Sequence, residues 1–319
     1  GLVTTAADPD GSPAWLPNQY DSPSAANLKA VYDPTWGRVK SISRPILGNH
    51  DGSGNSYFDY FNGPGAANGP AGPRGRGYYS FDVGTWHLIA LNSNCQTVSC
   101  GAGSIQEKWL RADLAAHPAA CTLAFWHHPR YSSGHDGSHV TLGAFWSDLH
   151  AAGAELVLSG HSHDYERFAP KDAQGKVSPT GIRQFVVGTG GAFFTGIGTS
   201  RVAGSQVAQN TTFGVLYLTL HPTSYDWRFV PIAGKSWTDS GSGQCYGPGG
   251  APLMPSPVRK DSGVQCRSSE NNLPPMMTIR SLTSPALCSG PALKNCWAGT
   301  SSKVARPSAG GSSQEMRSG

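Results

Sequence analysis

Several features that would place this chain in a familiar class are missing from its sequence. None of the seven cysteines stands in a C-x-x-C pair, which argues against a zinc ribbon or a thioredoxin-like redox site. No apolar run approaches the roughly 20 residues that a membrane-spanning helix needs. The 24 Lys and Arg residues are scattered and leave a formal charge of only +4, without the clustered basic stripe of a nucleic-acid-binding protein. We therefore expect neither a membrane nor a nucleic acid as a partner.

Glycine and proline, in contrast, are abundant. The chain of 319 residues contains 41 Gly and 24 Pro, which indicates a loop-rich globular protein long enough to bury a full core. Cys95 and Cys100 bracket four residues, so they form either a small-loop disulfide or a pair of reduced, buried thiols. The disulfide is favoured, and with it a secreted or periplasmic location. The sequence begins at Gly1 without a signal peptide, which we expect to have been removed or lost.

Local sequence patterns predict a layered α/β fold, because strands and helices alternate through the middle of the chain. Ser104 and Glu107 form the capping signature of a helix. The composition divides the chain into an irregular segment 1–17, a domain 18–245 and a Ser-, Pro- and Gly-rich segment 246–319, interpreted as a disordered tail rather than a second domain. The predicted helices are 25–36, 104–117 and 141–152; the predicted strands are 44–47, 78–82, 86–92, 121–126, 155–159, 184–188, 213–220 and 225–230.

Histidines and an asparagine follow three of the predicted strands directly. The segments are ILGNHD at 46–51, LAFWHHP at 123–129 and LVLSGHSH at 156–163, and seven of the eleven histidines fall between His127 and His163. The carboxyl ends of parallel strands meet at one edge of a sheet, where α/β proteins bind ligands. Imidazole and amide ligands suit zinc, iron or manganese. The alternative, solvated or core histidines, explains three such segments less well.

These motifs carry a family resemblance. GNHD at 48–51, HHP at 127–129 and GHSHDYER at 160–167 resemble the motifs of the calcineurin-like metallophosphoesterases, and GHSHDYERF is similar to that of the purple acid phosphatase branch. The resemblance implies a four-layer α/β/β/α sandwich with a dinuclear metal centre. It further implies that a metal-activated hydroxide hydrolyses a small-molecule phosphate ester, as in an acid phosphatase acting on monoesters.

The resemblance also implies roles for individual residues. Asn49, His127 and His161 would hold one metal ion, while His163 and Tyr20 would hold the other.

Three further residues would act on the substrate. His50, oriented by Asp51, would steady the phosphoryl oxygens or protonate the leaving group. His135 lies near the position of a substrate-facing histidine, or is an ordinary loop residue. Six other histidines carry less weight or are interpreted as structural or surface residues: His128, His139, His87, His117, His150 and His221.

The amino-terminal part departs from the family pattern. No D-x-H motif is present, and LPNQY at 16–20 stands where GDNQY is expected, so Pro17 replaces a metal-bridging aspartate. The expected sandwich therefore lacks its first strand or strands, which would leave sheet edges exposed. A shifted reading frame or truncation and a genuine variant are both compatible with this pattern. The alternative function is accordingly a truncated, non-catalytic scaffold with one metal ion or none.

Overall fold

The computed structural model describes residues 6–7, 13–14, 24–51 and 54–247 of the chain. Among these residues the helices are α1 (Ala25–Asn27), which continues as a π-helical turn (Leu28–Tyr32), α2 (Asn55–Asn62), α3 (Ile105–Ala116) and α4 (Gly143–Ala151), with 3₁₀ turns at Trp36–Ile42, Asn49–Asp51 and Val140–Leu142. The strands are β1 (Ala6–Ala7), β2 (Pro13–Ala14), β3 (Tyr79–Val83), β4 (Trp86–Ala90), β5 (Cys121–Phe125), β6 (Leu156–Ser159), β7 (Tyr165–Phe168), β8 (Arg183–Val187), β9 (Ser205–Gln209), β10 (Gly214–Leu220), β11 (Ser224–Pro231) and β12 (Ser240–Gln244).

A seven-stranded mixed sheet in the order β3-β4-β5-β6-β8-β7-β9 forms the centre of the fold. Its strands β4, β5, β6 and β8 run parallel, whereas β3 and β7 run antiparallel to their neighbours. Strands β10, β11 and β12 form a separate antiparallel sheet. The α/β class predicted from the sequence is confirmed.

The two faces of the large sheet bury different partners. On one face, Leu110 of α3 and Trp146 of α4 pack against strand residues such as Val157. On the other face, Leu156 of the large sheet and Trp227 of the small sheet share a cluster, so the sheets pack face to face. In the part of the chain that the structure describes, no helical residue belongs to this second cluster. The large sheet thus has helices on one face and the small sheet on the other.

Helix α3 begins where its capping signature predicts. The Ser104 Oγ atom accepts a hydrogen bond from the Glu107 backbone N–H at 3.2 Å. The Glu107 carboxylate accepts from the Gly103 N–H at 2.9 Å, one residue before the cap. The first bond satisfies one of the N–H groups that a helix start otherwise leaves without partners, and the second fixes the chain just before the helix.

The predicted strand at 44–47 is wrong, since the structure assigns no strand to these residues. Pro45 has no backbone N–H to donate to a ladder. Its carbonyl oxygen instead accepts a hydrogen bond from the Tyr79 hydroxyl at 2.7 Å. The GNHD motif is therefore held by side chains of its neighbours and does not follow a strand of the sheet.

Two disulfides connect described residues. The Cys95–Cys100 pair confirms the prediction from spacing. The second, between Cys121 and Cys245, joins the start of β5 to a residue 124 positions later and was not predicted. The predicted segment 1–17 and tail 246–319 lie almost wholly outside the described residues. The described helices include none whose length and hydropathy would let it cross a bilayer.

Candidate metal centre

The turns that follow β5 and β6 place two histidines side by side. The Trp126 N–H donates to the Leu158 carbonyl at 3.1 Å, and the Gly160 N–H donates to the His127 carbonyl at 3.0 Å. These bonds extend the parallel pairing of β5 and β6 beyond the strand ends. As the strand layout predicts, His127 and His161 therefore meet at the carboxyl edge of the sheet.

His161 adopts a backbone conformation that is uncommon for a residue with a side chain. Its φ is 65°, and among the described non-glycine residues no other φ is positive. Left-handed conformations of this kind cost on the order of 1 kcal/mol or more and concentrate at functional sites. The strained turn between Gly160 and Ser162 directs the His161 ring toward His127.

Three of the predicted ligands converge on one point. The His127 Nε2 atom lies 2.7 Å from the Asn49 Oδ1 atom and 3.2 Å from the His161 Nδ1 atom. Two imidazole nitrogens and an amide oxygen at these separations suit a borderline metal ion. The donor set therefore fits the metal that the sequence pattern predicts, and Asn49, His127 and His161 would hold it.

Hydrogen bonds fix the turn that presents Asn49. The Gly48 N–H donates to the Asp51 Oδ2 atom at 2.7 Å, and the Asn94 side chain donates to the Gly48 carbonyl at 3.2 Å. Burial raises the pKa of Asp51, while the hydrogen bond from Gly48 opposes this effect. His50 is exposed on the same turn. Asp51 thus shapes the backbone of the GNHD motif.

His163 occupies the other side of the GHSH turn. It is buried, and its Nδ1 atom lies 2.7 Å from the Phe193 carbonyl oxygen. A carbonyl can only accept, so this contact selects the tautomer that carries its proton on Nδ1 and its lone pair on Nε2. Metal-binding histidines are commonly oriented in this way.

Two histidines that the motifs do not predict as ligands, His128 and His139, also lie in the cluster. The His128 ring centroid lies 4.4 Å from that of His161 and 4.7 Å from that of His139. The His128 Nδ1 atom lies 2.9 Å from the Ser93 Oγ atom. One nitrogen each of His127, His128 and His161 lie within 4.8 Å of one another. Ser93 follows β4 at the same sheet edge. It could therefore have been predicted, like the histidines, from its position after a parallel strand.

Burial keeps these imidazoles uncharged. Desolvation, reinforced by the neighbouring histidines, lowers the pKa of His127 well below its usual range. The same causes lower the pKa of His128 to about 3. Burial likewise lowers the pKa of His161, to about 4. A neutral imidazole offers the lone pair that a metal requires.

A carboxylate that the sequence reasoning missed lies close to the cluster. Burial lowers the pKa values of His128, His139, His161 and His163, and the charge of Asp136 opposes this effect. The predicted substrate residue His135 is exposed, and its Nδ1 atom lies 3.4 Å from the Asp136 Oδ1 atom. The signal for Asp136 in the sequence is the His-Asp pair of SSGHDG at 132–137, but only the fold of this loop brings its carboxylate to the cluster.

Asp164 is a second acid beside the GHSH turn. Its side chain is fully buried, and burial, followed by the charges of Glu166 and Asp136, raises its pKa to about 7.

The predicted ligand Tyr20 and the substituted Pro17 lie outside the described residues.

A cluster of potential ligands at two adjoining strand ends of a mixed α/β sheet is the arrangement of a candidate metal site. Comparison with known families is more specific: residues 23–165 match the family model described as calcineurin-like phosphoesterase. The resemblance indicated by the motifs is thereby confirmed over these residues.

Curated relatives are purple acid phosphatases. Purple acid phosphatase 22 of Arabidopsis thaliana is 35% identical over 124 residues, which cover 36% of this chain and 27% of the relative. Purple acid phosphatase 21 of the same plant is 36% identical over 120 residues, covering 36% and 26%. The aligned part of the chain thus spans about a quarter of the length of these relatives.

Solved structures give weaker similarities. Purple acid phosphatase PPD1 from yellow lupin (Lupinus luteus) seeds is 19% identical, with a TM-score of 0.49 over 63% of this chain and 38% of that one. GAP50, the anchor in the inner membrane complex of Plasmodium, is 18% identical, with a TM-score of 0.49 over 65% and 67%.

Proposed function

We propose that this domain hydrolyses phosphate monoesters at the edge formed by β5, β6 and the GNHD turn. The observation that carries the proposal is the position of the His127 Nε2 atom. It lies 2.7 Å from Asn49 Oδ1 and 3.2 Å from His161 Nδ1. The family match over residues 23–165 supports phosphoester hydrolysis in general. The preference for monoesters rests on the similarity to purple acid phosphatases.

Metal ions held by these residues would neutralise the charge of the phosphate and lower the pKa of a bound water molecule. In this proposal Asn49, His127 and His161 hold the first ion. His163, through Nε2, and Tyr20 contribute to a second, drawn from iron, zinc or manganese. Neutral imidazoles at ordinary pH favour this use of the histidines.

The chain's own polar groups would orient the substrate. His50 is exposed on the turn whose backbone Asp51 fixes, so it can reach the phosphoryl oxygens or donate a proton to the leaving group. His135 extends from the neighbouring loop and is largely exposed, which suits a contact with the substrate's organic part.

A non-catalytic scaffold is the second candidate. The observation that favours it is Pro17 in place of an expected bridging aspartate, because a proline side chain cannot bind a metal. Such a protein would hold one metal ion or none and would not turn over phosphate esters.

The test is hydrolysis of p-nitrophenyl phosphate and bis(p-nitrophenyl) phosphate by the full chain reconstituted with iron, zinc or manganese. We expect turnover of the monoester, faster than that of the diester. His161→Ala should reduce it by roughly 100-fold or more, because a metal ligand is lost. The matched control is His150→Ala, on the last turn of α4. Metal uptake without turnover in the wild-type protein would favour the scaffold.

A secreted or periplasmic location and a domain spanning 18–245 complete the proposal. Two disulfides between described cysteines support an oxidising compartment. The domain boundary at Cys245 coincides with the second of them.

A further inference from the structure

A second group of potential metal ligands lies at the opposite edge of the large sheet. His87 of β4 pairs in register with Thr122 near the beginning of β5, whereas His127 follows the end of that strand. Asp113 lies in the last turn of α3, and His117 is the residue at which that helix ends. This group, the β4–α3 cluster, therefore belongs to a separate part of the domain.

One ligand atom each of His87, Asp113 and His117 lie within 4.8 Å of one another. The His87 Nε2 atom lies 2.9 Å from the Asp113 Oδ2 atom, and the His117 Nδ1 atom lies 3.3 Å from the Asp113 Oδ1 atom. The same Nδ1 atom lies 3.0 Å from the Asp113 backbone carbonyl oxygen, so a metal ion bound there would displace the proton that this contact holds. The two imidazole rings stack with centroids 4.9 Å apart. Ligand atoms around a tetrahedral zinc ion are roughly 3.3 Å apart, given its bond lengths to nitrogen and oxygen.

A further carboxylate orients His87 for this role. The His87 Nδ1 atom lies 2.7 Å from the Asp82 Oδ1 atom on the neighbouring strand β3. A ligand histidine commonly donates its second N–H to a carboxylate in this way, which fixes its tautomer and strengthens the nitrogen that faces the metal. The Asp113 carboxylate is likewise held by the Ser80 hydroxyl at 2.8 Å.

The local charge favours a cation. Asp82 and Asp113 bring two carboxylates to His87, and the carboxyl end of α3 adds its partial negative charge. No basic side chain occupies the last turn of α3. Exchange with solvent is possible because His117 is partly exposed and lines a cleft of about 760 Å³.

We propose that His87, Asp113 and His117 bind a zinc ion that ties the end of α3 to the β3–β4 hairpin, with water as the fourth ligand. Two imidazoles and one carboxylate are a common ligand set for zinc. The site is remote from the proposed catalytic edge, so its role is structural.

The test compares zinc stoichiometry, by elemental analysis, in the full-length wild-type chain and two variants. After equilibration with zinc and desalting, wild type should retain one more ion per chain than His117→Gln. The matched control is His221→Gln, because His221 is exposed to a similar degree and its Nε2 atom contacts a single carboxylate, that of Asp226, at 2.8 Å. That control should retain as much zinc as wild type. Equal zinc in wild type and His117→Gln overturns the proposal and leaves a metal-free histidine–carboxylate network.

A third variant distinguishes the loss of a zinc ligand from a loss of folding. His117→Cys keeps a zinc ligand at this position, so it should restore the lost ion. With Co²⁺ it should also gain a sulfur-to-cobalt charge-transfer band that wild type lacks. A folded His117→Cys protein without the band also contradicts the proposal.

Discussion

Single residues decide whether the proposed catalytic edge can hold a metal. The motifs after apolar segments and the family resemblance that they carry predict Asn49, His127 and His161 as ligands, and the structure brings their donor atoms together. Sequence reasoning gave little weight to His128 and His139 and none to Asp136. For His139 and Asp136 the reason is physical: their proximity to the cluster depends on how residues 130–140 fold back over the sheet edge, and no local pattern encodes that path. His128 lies beside His127 after β5.

Gly48 allows the His127 ring to lie against the GNHD turn. A Cβ atom at this position would meet the His127 ring at 3.1 to 3.3 Å. We predict that Gly48→Ala displaces the ring and weakens metal affinity about tenfold, as disturbances of supporting contacts do. Titration with Mn²⁺ measures this effect. Gly101→Ala is the control, because its Cβ atom would meet no neighbour within 4 Å, and unchanged affinity in Gly48→Ala would disprove the packing argument.

Glu155 should make stability depend on pH. Burial raises its pKa to about 8 from an ordinary value of 4.5, although it accepts hydrogen bonds from the Thr122 and Tyr246 N–H groups. The unfolded chain loses this proton at lower pH than the folded chain does. The stabilisation is therefore complete below pH 4.5 and is lost as pH rises toward 8.

The measurement is the unfolding free energy between pH 5 and 8. One pKa unit corresponds to about 1.4 kcal/mol, so the wild-type value should fall more steeply than that of Glu155→Gln. Parallel pH profiles for the two proteins would show that Glu155 ionises normally in the fold.

At the scale of secondary structure elements, local signals predicted some elements and not others. The amphipathic pattern and capping residues located α3, and apolar runs located β5, β6 and β8. Strand β7 was missed because its sequence, YERF, is charged in the middle, and its Glu166 is buried against Ser133. Helix α2 was missed because its aromatic residues gave no clear period. Tertiary contacts determine both elements.

The N-cap of α3 provides a test at this scale. Ser104→Ala removes the acceptor for the Glu107 N–H and should lower the unfolding free energy by about 1 kcal/mol. Urea denaturation measures the change. Ser147→Ala, at an exposed position inside α4, should leave stability nearly unchanged, since alanine favours a helix interior. Equal effects of the two substitutions would contradict the capping assignment.

At the scale of the whole molecule, the two disulfides should contribute differently to the free energy of unfolding. The Cys121–Cys245 bond closes a loop of 124 residues, whereas Cys95–Cys100 closes one of five. Loop-closure entropy assigns about 5 kcal/mol to the first and about 2 kcal/mol to the second. Replacing both cysteines of each pair by serine, followed by urea denaturation, should reproduce this order. The reverse order would indicate that the long loop is already restrained in the unfolded chain.

The fold class could be predicted from the sequence, but the long-range pairings between segments could not. Alternating elements and the three histidine motifs indicated an α/β phosphoesterase domain. Two features depend on long-range packing: the Cys121–Cys245 pairing and the absence of a strand at 44–47. The spacing of residues along the sequence does not predict such packing.

The central claim is that Asn49, His127 and His161 hold a metal ion at the edge of the sheet. The most direct test is metal content by elemental analysis after reconstitution with manganese and desalting, in wild type, His161→Ala and the control His150→Ala. The account predicts that His161→Ala retains at least one ion fewer per chain than the other two proteins. Equal metal content in all three would contradict it.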